Sequence, residues 1–193
     1  MPLTGFESFP DNPVEKIFWG RCNIQAASAN MFFTSGSPLQ QSMHRLKYKG
    51  RKDIGIYYGR QMGKALKESG RFDDCDLIVP LPLYPEREKK RGYNQSAIIA
   101  ETVSCLLAIP VCCTAVSRIK KTETQTSKSR IERWKNMDST FEIRNDEQLH
   151  GRHILLIDDI VTTGASLEAC AGVLLKIPGL KLSIACLAHT VSA

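Results

Sequence analysis

One stretch of the chain constrains its fold more than any other. Residues 153–166 read HILLIDDIVTTGAS. Four consecutive apolar residues followed by two acids predict a buried β-strand that ends at Asp158 and Asp159. The small residues after the acids lead into Leu167-Glu168-Ala169-Cys170, which predicts a turn and then a helix. A strand, a turn and a helix in this order are typical of α/β proteins, which bind ligands at the carboxyl ends of their strands.

The side chains of this stretch suit a phosphorylated sugar. Little side-chain bulk between residues 162 and 166 lets backbone N–H groups approach an anion, and a helix N-terminus favours negative charge. The two carboxylates suit a ribose diol or a metal ion. A sugar phosphate would satisfy the acids and the turn together.

Other protein classes also place acids at strand ends. A receiver domain carries its acid pair after the first strand and lacks a hydroxyl-rich turn, whereas Asp158 lies late in a chain of 193 residues. A haloacid dehalogenase requires acids two positions apart, and Asp158 and Asp159 are adjacent. An ordinary N-cap is the alternative interpretation of the Thr-Gly-Ala-Ser turn.

The stretch resembles, at every position, the phosphoribosyl pyrophosphate (PRPP) motif of type I phosphoribosyltransferases. The resemblance implies that Asp158 and Asp159 hold the ribose hydroxyls. It also implies that a phosphate cradle surrounds the 5′-phosphate, formed by Thr162, Thr163, Gly164, Ala165 and Ser166. We define the phosphate cradle by these five residues.

A second group of cations follows the predicted strand from Asp76 to Pro80. Alone, this basic segment from Pro85 to Gly92 would be interpreted as a solvated loop, as most charge runs are. Beside a PRPP motif it predicts a site for the diphosphate group. The predicted diphosphate-binding residues are Leu81, Pro82, Arg87, Lys90 and Arg91.

Further runs narrow the resemblance to the ComF family of phosphoribosyltransferase-like proteins, over residues from about 14 to 190. The runs are Leu46-Lys47-Tyr48-Lys49-Gly50, Val79-Pro80-Leu81-Pro82-Leu83, Arg87, Arg91-Gly92-Tyr93-Asn94-Gln95, Thr124-Gln125, Arg130 and Asn136. The family is associated with DNA uptake in natural competence. Its members usually begin with a cysteine-rich zinc ribbon, but this sequence has no paired cysteines before Cys22, so zinc is not expected.

The polar stretch from Arg118 to Arg130 lies before the motif strand, where type I enzymes carry a loop that closes over the reaction centre. The resemblance implies such a lid, with Lys120 and Lys121 as catalytic cations beside the leaving diphosphate. A surface loop without a role is the alternative. We expect residues 119–129 to be poorly ordered and the helix around Trp134 to be ordered.

Composition sets the wider limits. The chain has 26 Lys and Arg residues against 20 Asp and Glu residues. The resulting net charge of +6 suits an anionic ligand. The basic cluster of Lys47, Lys49, Arg51 and Lys52 around Tyr48 could bind a nucleic-acid strand, although a solvated turn is the simpler interpretation. No apolar run reaches the roughly 18 residues of a membrane span, and the seven cysteines lack Cys-x-x-Cys spacing, so we expect a reduced cytoplasmic protein.

Alternating strands and helices predict an α/β fold of the type I phosphoribosyltransferase class, with a mostly parallel sheet flanked by helices. We expect an extended N-terminal arm or small hood over residues 1–20 and a phosphoribosyltransferase-like domain over residues 21–193.

The resemblance implies displacement of diphosphate from PRPP by an unidentified nitrogen nucleophile. Mg²⁺ would contact Asp158 and Asp159 mainly through the substrate. The alternative is a non-catalytic protein that binds PRPP or serves DNA uptake with the competence machinery. The sequence leaves the acceptor and the oligomeric state open.

Overall fold

A computed structural model of the chain describes residues 2–119 and 140–190. After a 3₁₀ turn at Phe6–Ser8, the elements follow in this order: α1 (Pro13–Phe18), β1 (Ala26–Phe33), α2 (Pro38–Tyr48), α3 (Lys52–Ser69), β2 (Leu77–Pro80), α4 (Pro85–Arg91), α5 (Gln95–Leu107), β3 (Val116–Arg118), β4 (Phe141–Ile143), β5 (His153–Val161), α6 (Ala165–Leu174) and β6 (Lys181–Thr190). The predicted catalytic residues Lys120 and Lys121 and the helix around Trp134 fall outside the described residues, as does the predicted lid apart from Arg118 and Ile119.

The main sheet has four parallel strands in the order β1-β6-β5-β2. Alternate residues of β5 enter different cores, because successive side chains of a strand point to opposite faces. Ile154 and Leu156 pack with α1 and α6, whereas Leu155 and Ile157 pack with α2, α3 and α5. The chain is therefore a three-layer α/β protein, as the sequence predicts.

The N-terminal segment is not an extended arm. Helix α1 starts at Pro13, and the Asn12 side chain caps it by accepting hydrogen bonds from the N–H groups of Val14 and Glu15. The Asn12 amide also donates to the Ala27 carbonyl of β1 at 2.8 Å. Val14 and Phe18 are fully buried. The expectation of an extended conformation was wrong because an Asn-Pro start and two buried apolar residues build a short helix against the sheet.

Two further elements differ from expectation. The basic segment after Pro85 is helix α4 rather than a loop, with Pro85 at the first helical position and Gly92 ending it at a φ of +81°. The sequence after Pro110 also predicts a brief strand from Val111 to Ala115, whereas the structure has a single parallel bridge there between Val111 and Ile78 and begins β3 at Val116. β3 and β4 form a separate antiparallel pair.

Close packing of α3 against α5 supports the edge of the sheet that carries β2. Three glycines of α3 face α5, and a Cβ atom built on Gly59 would lie 2.9 Å from the Cβ of Thr102. Gly55 and Gly63 make equally close approaches to Ile98 and Leu106. Among the described residues, no helix is long and apolar enough to cross a membrane.

Candidate functional site

The two acids lie inside β5 rather than at its exposed tip. The strand continues to Val161, which pairs with His189 of β6, and Asp158 pairs with Cys186. Asp158 is 9% exposed and Asp159 is 4% exposed. The prediction that the strand ends at the two acids was wrong because hydrogen bonding to β6 extends β5 past them to Val161, an extension that the local pattern of apolar residues does not reveal.

The first acid is held by α5. The Ser96 hydroxyl donates to Asp158 Oδ1 at 2.9 Å. Ser96 is positioned by Asn94, which caps α5 by accepting from the Ser96 N–H and also donates to the Leu81 carbonyl after β2. Burial, and next the adjacent charge of Asp159, raise the pKa of Asp158 above its ordinary value. Asp158 is thus a buried carboxyl whose charged form is stabilised by only a few groups.

The second acid is held by a lysine from α2. Lys47 forms an ion pair with Asp159 Oδ2, and the Ile160 N–H donates to Asp159 Oδ1 at 3.0 Å. The Lys47 side chain is 24% exposed, so its ammonium group reaches from the surface to a buried carboxylate. This contact joins the acid pair to the next feature of the site.

A cleft of about 360 Å³ collects the cations of α2 and α4. We call it the cation pocket and define it by its lining residues, which are Lys47, Tyr48, Gly50, Arg87, Lys90 and Arg91. Arg91 contacts the Gln95 side chain, and its guanidinium carbon lies 5.5 Å from the centre of the Tyr48 ring. Three of the predicted diphosphate-binding residues therefore share one cleft with Lys47, which contacts Asp159.

The other two predicted diphosphate-binding residues lie at the end of β2. The Leu81 N–H donates to the Ile157 carbonyl at 2.8 Å, so pairing with β5 continues one residue past the strand. Pro82 lines a neighbouring cleft together with Arg118, whose guanidinium lies 4.1 Å from the Tyr84 ring. Leu81 and Pro82 thus shape the turn between the two clefts.

The phosphate cradle follows β5 and begins α6. Within the described part of the chain, the backbone N–H groups of residues 162–166 donate no hydrogen bond. Gly164 has a φ of +74°, and a Cβ atom there would lie 2.7 Å from Ile17 of α1. The cradle therefore offers backbone donors to a ligand on one side and packs against α1 on the other.

Sequence reasoning missed three residues of the site. Lys47 was predicted only as part of a basic cluster, and neither Ser96 nor Arg21 was predicted to lie at the site. The Arg21 guanidinium donates to the Thr163 carbonyl at 2.8 Å and forms an ion pair with Glu168. The Leu-Lys-Tyr-Lys-Gly and Tyr-Asn-Gln-Ser runs were available signals for Lys47 and Ser96, whereas the sequence around Arg21 offers none.

Comparison with known proteins identifies the group to which this arrangement belongs. The phosphoribosyl transferase domain matches residues 93–192. Competence protein F of Haemophilus influenzae is 30% identical over 165 residues, which cover 82% of this chain and 72% of that protein. The chain belongs to the ComF family of phosphoribosyltransferase-like proteins.

Further relatives agree with this membership. DNA utilization protein YhgH of Escherichia coli K12 is 31% identical over 79% of this chain and 68% of its own length. Competence protein ComFC of Bacillus subtilis is 29% identical over 75% of this chain and 56% of its own length. Glutamine PRPP amidotransferase of Bacillus subtilis superimposes with a TM-score of 0.51 at 14% identity, over 74% of this chain and 30% of that chain. The type I phosphoribosyltransferase fold predicted from the sequence is confirmed.

Proposed function

We propose that this ComF-family protein binds PRPP and displaces its diphosphate with a nitrogen nucleophile. The observation that carries the proposal is the ion pair between Lys47 and Asp159, which connects the acid pair of β5 to the cation pocket. The backbone donors of the phosphate cradle follow the carboxylate pair in the chain, and Lys47 connects the same pair to the cations of the pocket. PRPP carries its 5′-phosphate and its diphosphate on one ribose ring, whose diol would meet the carboxylate pair.

Each part of the site takes one part of the ligand in this proposal. Asp158 and Asp159 accept hydrogen bonds from the ribose hydroxyls, and the phosphate cradle binds the 5′-phosphate through its N–H groups. Arg87, Lys90 and Arg91 neutralise the diphosphate. The planar guanidinium of arginine can donate two hydrogen bonds to one phosphate group, and the lysine ammonium supplies a compact positive charge. Lys47 exchanges its contact with Asp159 for one with the ligand.

The donor set fits a magnesium ion carried by the substrate. Two adjacent carboxylates supply the oxygen ligands that Mg²⁺ prefers, and the ion would share them with substrate oxygens. When bound, Mg²⁺ would offset charge on the diphosphate. We assign Asp158 and Asp159 as the residues that would hold it.

The residues of the chain act mainly by orientation and charge. Departure of diphosphate leaves positive charge on the ribose ring, as in glycoside cleavage. Ser96 fixes the Asp158 carboxyl beside that ring, and the cations of α4 hold the leaving group. Arg118 stacks on Tyr84 next to the same turn and would bound the space that the acceptor enters.

The proposal is tested by measuring diphosphate release from PRPP and Mg²⁺ over a panel of bases and amines. Calorimetry with the Asp158→Asn, Asp159→Asn double variant supplies the binding test. We expect the double variant to lose PRPP binding while its circular dichroism spectrum is unchanged, because asparagine conserves the shape of each side chain. Unchanged PRPP affinity in that variant would rule out the assigned ribose site.

A binding role without turnover is the second candidate. It is favoured by the names of the relatives, which refer to competence and DNA utilization, and by the 66% exposure of Tyr48 among the basic residues of α2 and α3. PRPP binding without diphosphate release for any acceptor would favour this role. Single-stranded DNA that competes with PRPP for the cation pocket would identify the partner.

A further inference from the structure

We infer that Arg21 is a positioning residue for the phosphate cradle, acting from the N-terminal segment that precedes β1. The inference rests on the proposed function of the cradle as a site for the 5′-phosphate. It concerns a residue outside the stretch matched by the phosphoribosyl transferase domain. Arg21 does not itself contact the ligand in this proposal, because both of its terminal nitrogens donate to protein groups.

The contacts of Arg21 reach both sides of the turn between β5 and α6. One terminal nitrogen donates to the Ile17 carbonyl at 2.9 Å and to the Thr163 carbonyl at 2.8 Å. The other terminal nitrogen forms the ion pair with Glu168 in the first turn of α6. A single planar group therefore joins α1, the cradle and α6.

The contact with Thr163 orients a peptide unit of the cradle. In a trans peptide the C=O and N–H groups point in opposite directions. Arg21 holds the Thr163 carbonyl on the side of α1. The N–H of Gly164 belongs to the same peptide unit and therefore points away from α1. Arg21 thereby sets the direction of one of the donors on which phosphate binding depends.

The contact with Glu168 removes an unfavourable charge. A carboxylate in the first turn stabilises a helix, but it repels an anion that binds at the same N-terminus. Glu168 is 37% exposed at its side chain and pairs with a guanidinium that also contacts the cradle. Arg21 therefore offsets the one acidic side chain in the first turn of α6.

The packing of α1 keeps Arg21 in place. Phe18 is fully buried, and both Ile17 and Phe18 lie against Gly164. A Cβ atom built on Gly164 would lie only 3.1 Å from the Phe18 ring. Arg21 follows on a turn in which its own N–H donates to the Phe18 carbonyl at 3.0 Å. The guanidinium thus extends from a rigid support, which a positioning role requires.

The test measures ribose 5-phosphate binding by calorimetry in Arg21→Met, Glu168→Gln and the double variant. We expect Arg21→Met to weaken binding on the order of tenfold, since it unmasks Glu168 and releases the Thr163 carbonyl. Adding Glu168→Gln to Arg21→Met should raise the affinity for ribose 5-phosphate about threefold or more. A general loosening of the fold would not produce this recovery. Lys64→Met, which removes one positive charge from an exposed ion pair of α3, is the control and should leave binding unchanged.

Amide hydrogen exchange of residues 162–168 in the ligand-free protein supplies a second readout. We expect faster exchange there in Arg21→Met than in Lys64→Met. Binding of ribose 5-phosphate by Arg21→Met within twofold of the wild type, or no recovery in the double variant, would overturn the inference. If the wild-type protein binds neither PRPP nor ribose 5-phosphate, the proposed function fails instead, and the exchange measurement still judges whether Arg21 orders the cradle.

Discussion

At the scale of single residues, the site depends on acids that are costly to bury. Asp158 lies beside a second carboxylate, and Ser96 donates the one side-chain hydrogen bond that Asp158 receives among the described residues. A buried carboxyl without a full set of partners is destabilising in its charged form. In the proposed function, a ribose diol supplies the donors that the folded chain does not.

The raised pKa of Asp158 predicts how stability changes with pH. Burial and the charge of Asp159 raise this pKa to about 7, whereas an unfolded aspartate has a pKa near 3.9. Since the folded pKa is the higher one, the contribution of this group to stability is full below about pH 4 and is lost as the pH rises through about 7. Asp158→Asn does not titrate, so it should gain stability relative to the wild type over this range.

Thermal unfolding of both proteins at pH 5 and pH 8 measures this effect. We expect the difference in melting temperature between Asp158→Asn and the wild type to be larger and more positive at pH 8. Asp73→Asn, at an exposed position without an ion pair among the described residues, provides the comparison and should show a difference that varies little with pH. A gain from Asp158→Asn that is largest at pH 5 would contradict the assigned direction.

At the scale of elements, the packing of α3 on α5 determines where Ser96 lies. The glycines of α3 allow α5 to approach closely, and α5 carries Ser96 to Asp158 from its first turn. The neighbours of these glycines differ in how easily they can move. Gly59 faces the Cβ of Thr102, which moves only with the backbone, whereas Gly63 faces the Cδ1 of Leu106 at the end of a flexible side chain.

Alanine substitutions at these two positions should therefore differ in effect. We expect Gly59→Ala to reduce the free energy of unfolding by about 1–3 kcal/mol through overpacking, and Gly63→Ala by less, measured by urea denaturation. Gly172→Ala is the matched control, because a Cβ atom there meets open space on an exposed face of α6. It should be neutral or stabilising by about 0.4–1 kcal/mol. An equal loss at Gly59 and Gly63 would contradict the assigned difference between their neighbours.

At the scale of the whole molecule, the parallel sheet brings the segment with the α4 cations and the phosphate cradle to one edge. β2 and β5 are hydrogen-bonded neighbours, so the segment after Pro80 and the cradle after Val161 both leave the carboxyl ends of their strands. Helix α2 then adds Lys47 between them. The same topology that buries the acids also collects the cations.

The separation of these two sites predicts different effects on two ligands. Arg91→Ala should weaken PRPP binding about tenfold or more but leave ribose 5-phosphate binding within about twofold, because only PRPP carries the diphosphate. Calorimetry with both ligands measures the difference, and Lys64→Ala controls for the loss of one positive charge. Equal weakening of both ligands would show that Arg91 acts through overall charge alone.

Much of the fold and half of the site were predictable because their signals are local. The order of apolar strand, acids and small-residue turn identified β5, Asp158, Asp159 and the cradle, since each depends on neighbours in the chain. Ser37 before Pro38 is likewise a local signal for the start of α2, and the Ser37 hydroxyl accepts a hydrogen bond from the Gln40 N–H. The alternation of strands and helices predicted the parallel sheet.

The remaining features were decided by tertiary contacts. The burial of the acids depends on the partner strand β6, and the roles of Lys47 and Ser96 depend on how α2 and α5 pack on the sheet. Arg21 meets Thr163 across 142 positions of sequence. The sequence by itself determined which chemical groups are present and the local structures that carry most of them. Only folding decided which distant groups meet, because electrostatic and hydrogen-bond contacts act over a few ångströms in space and local sequence patterns do not record them.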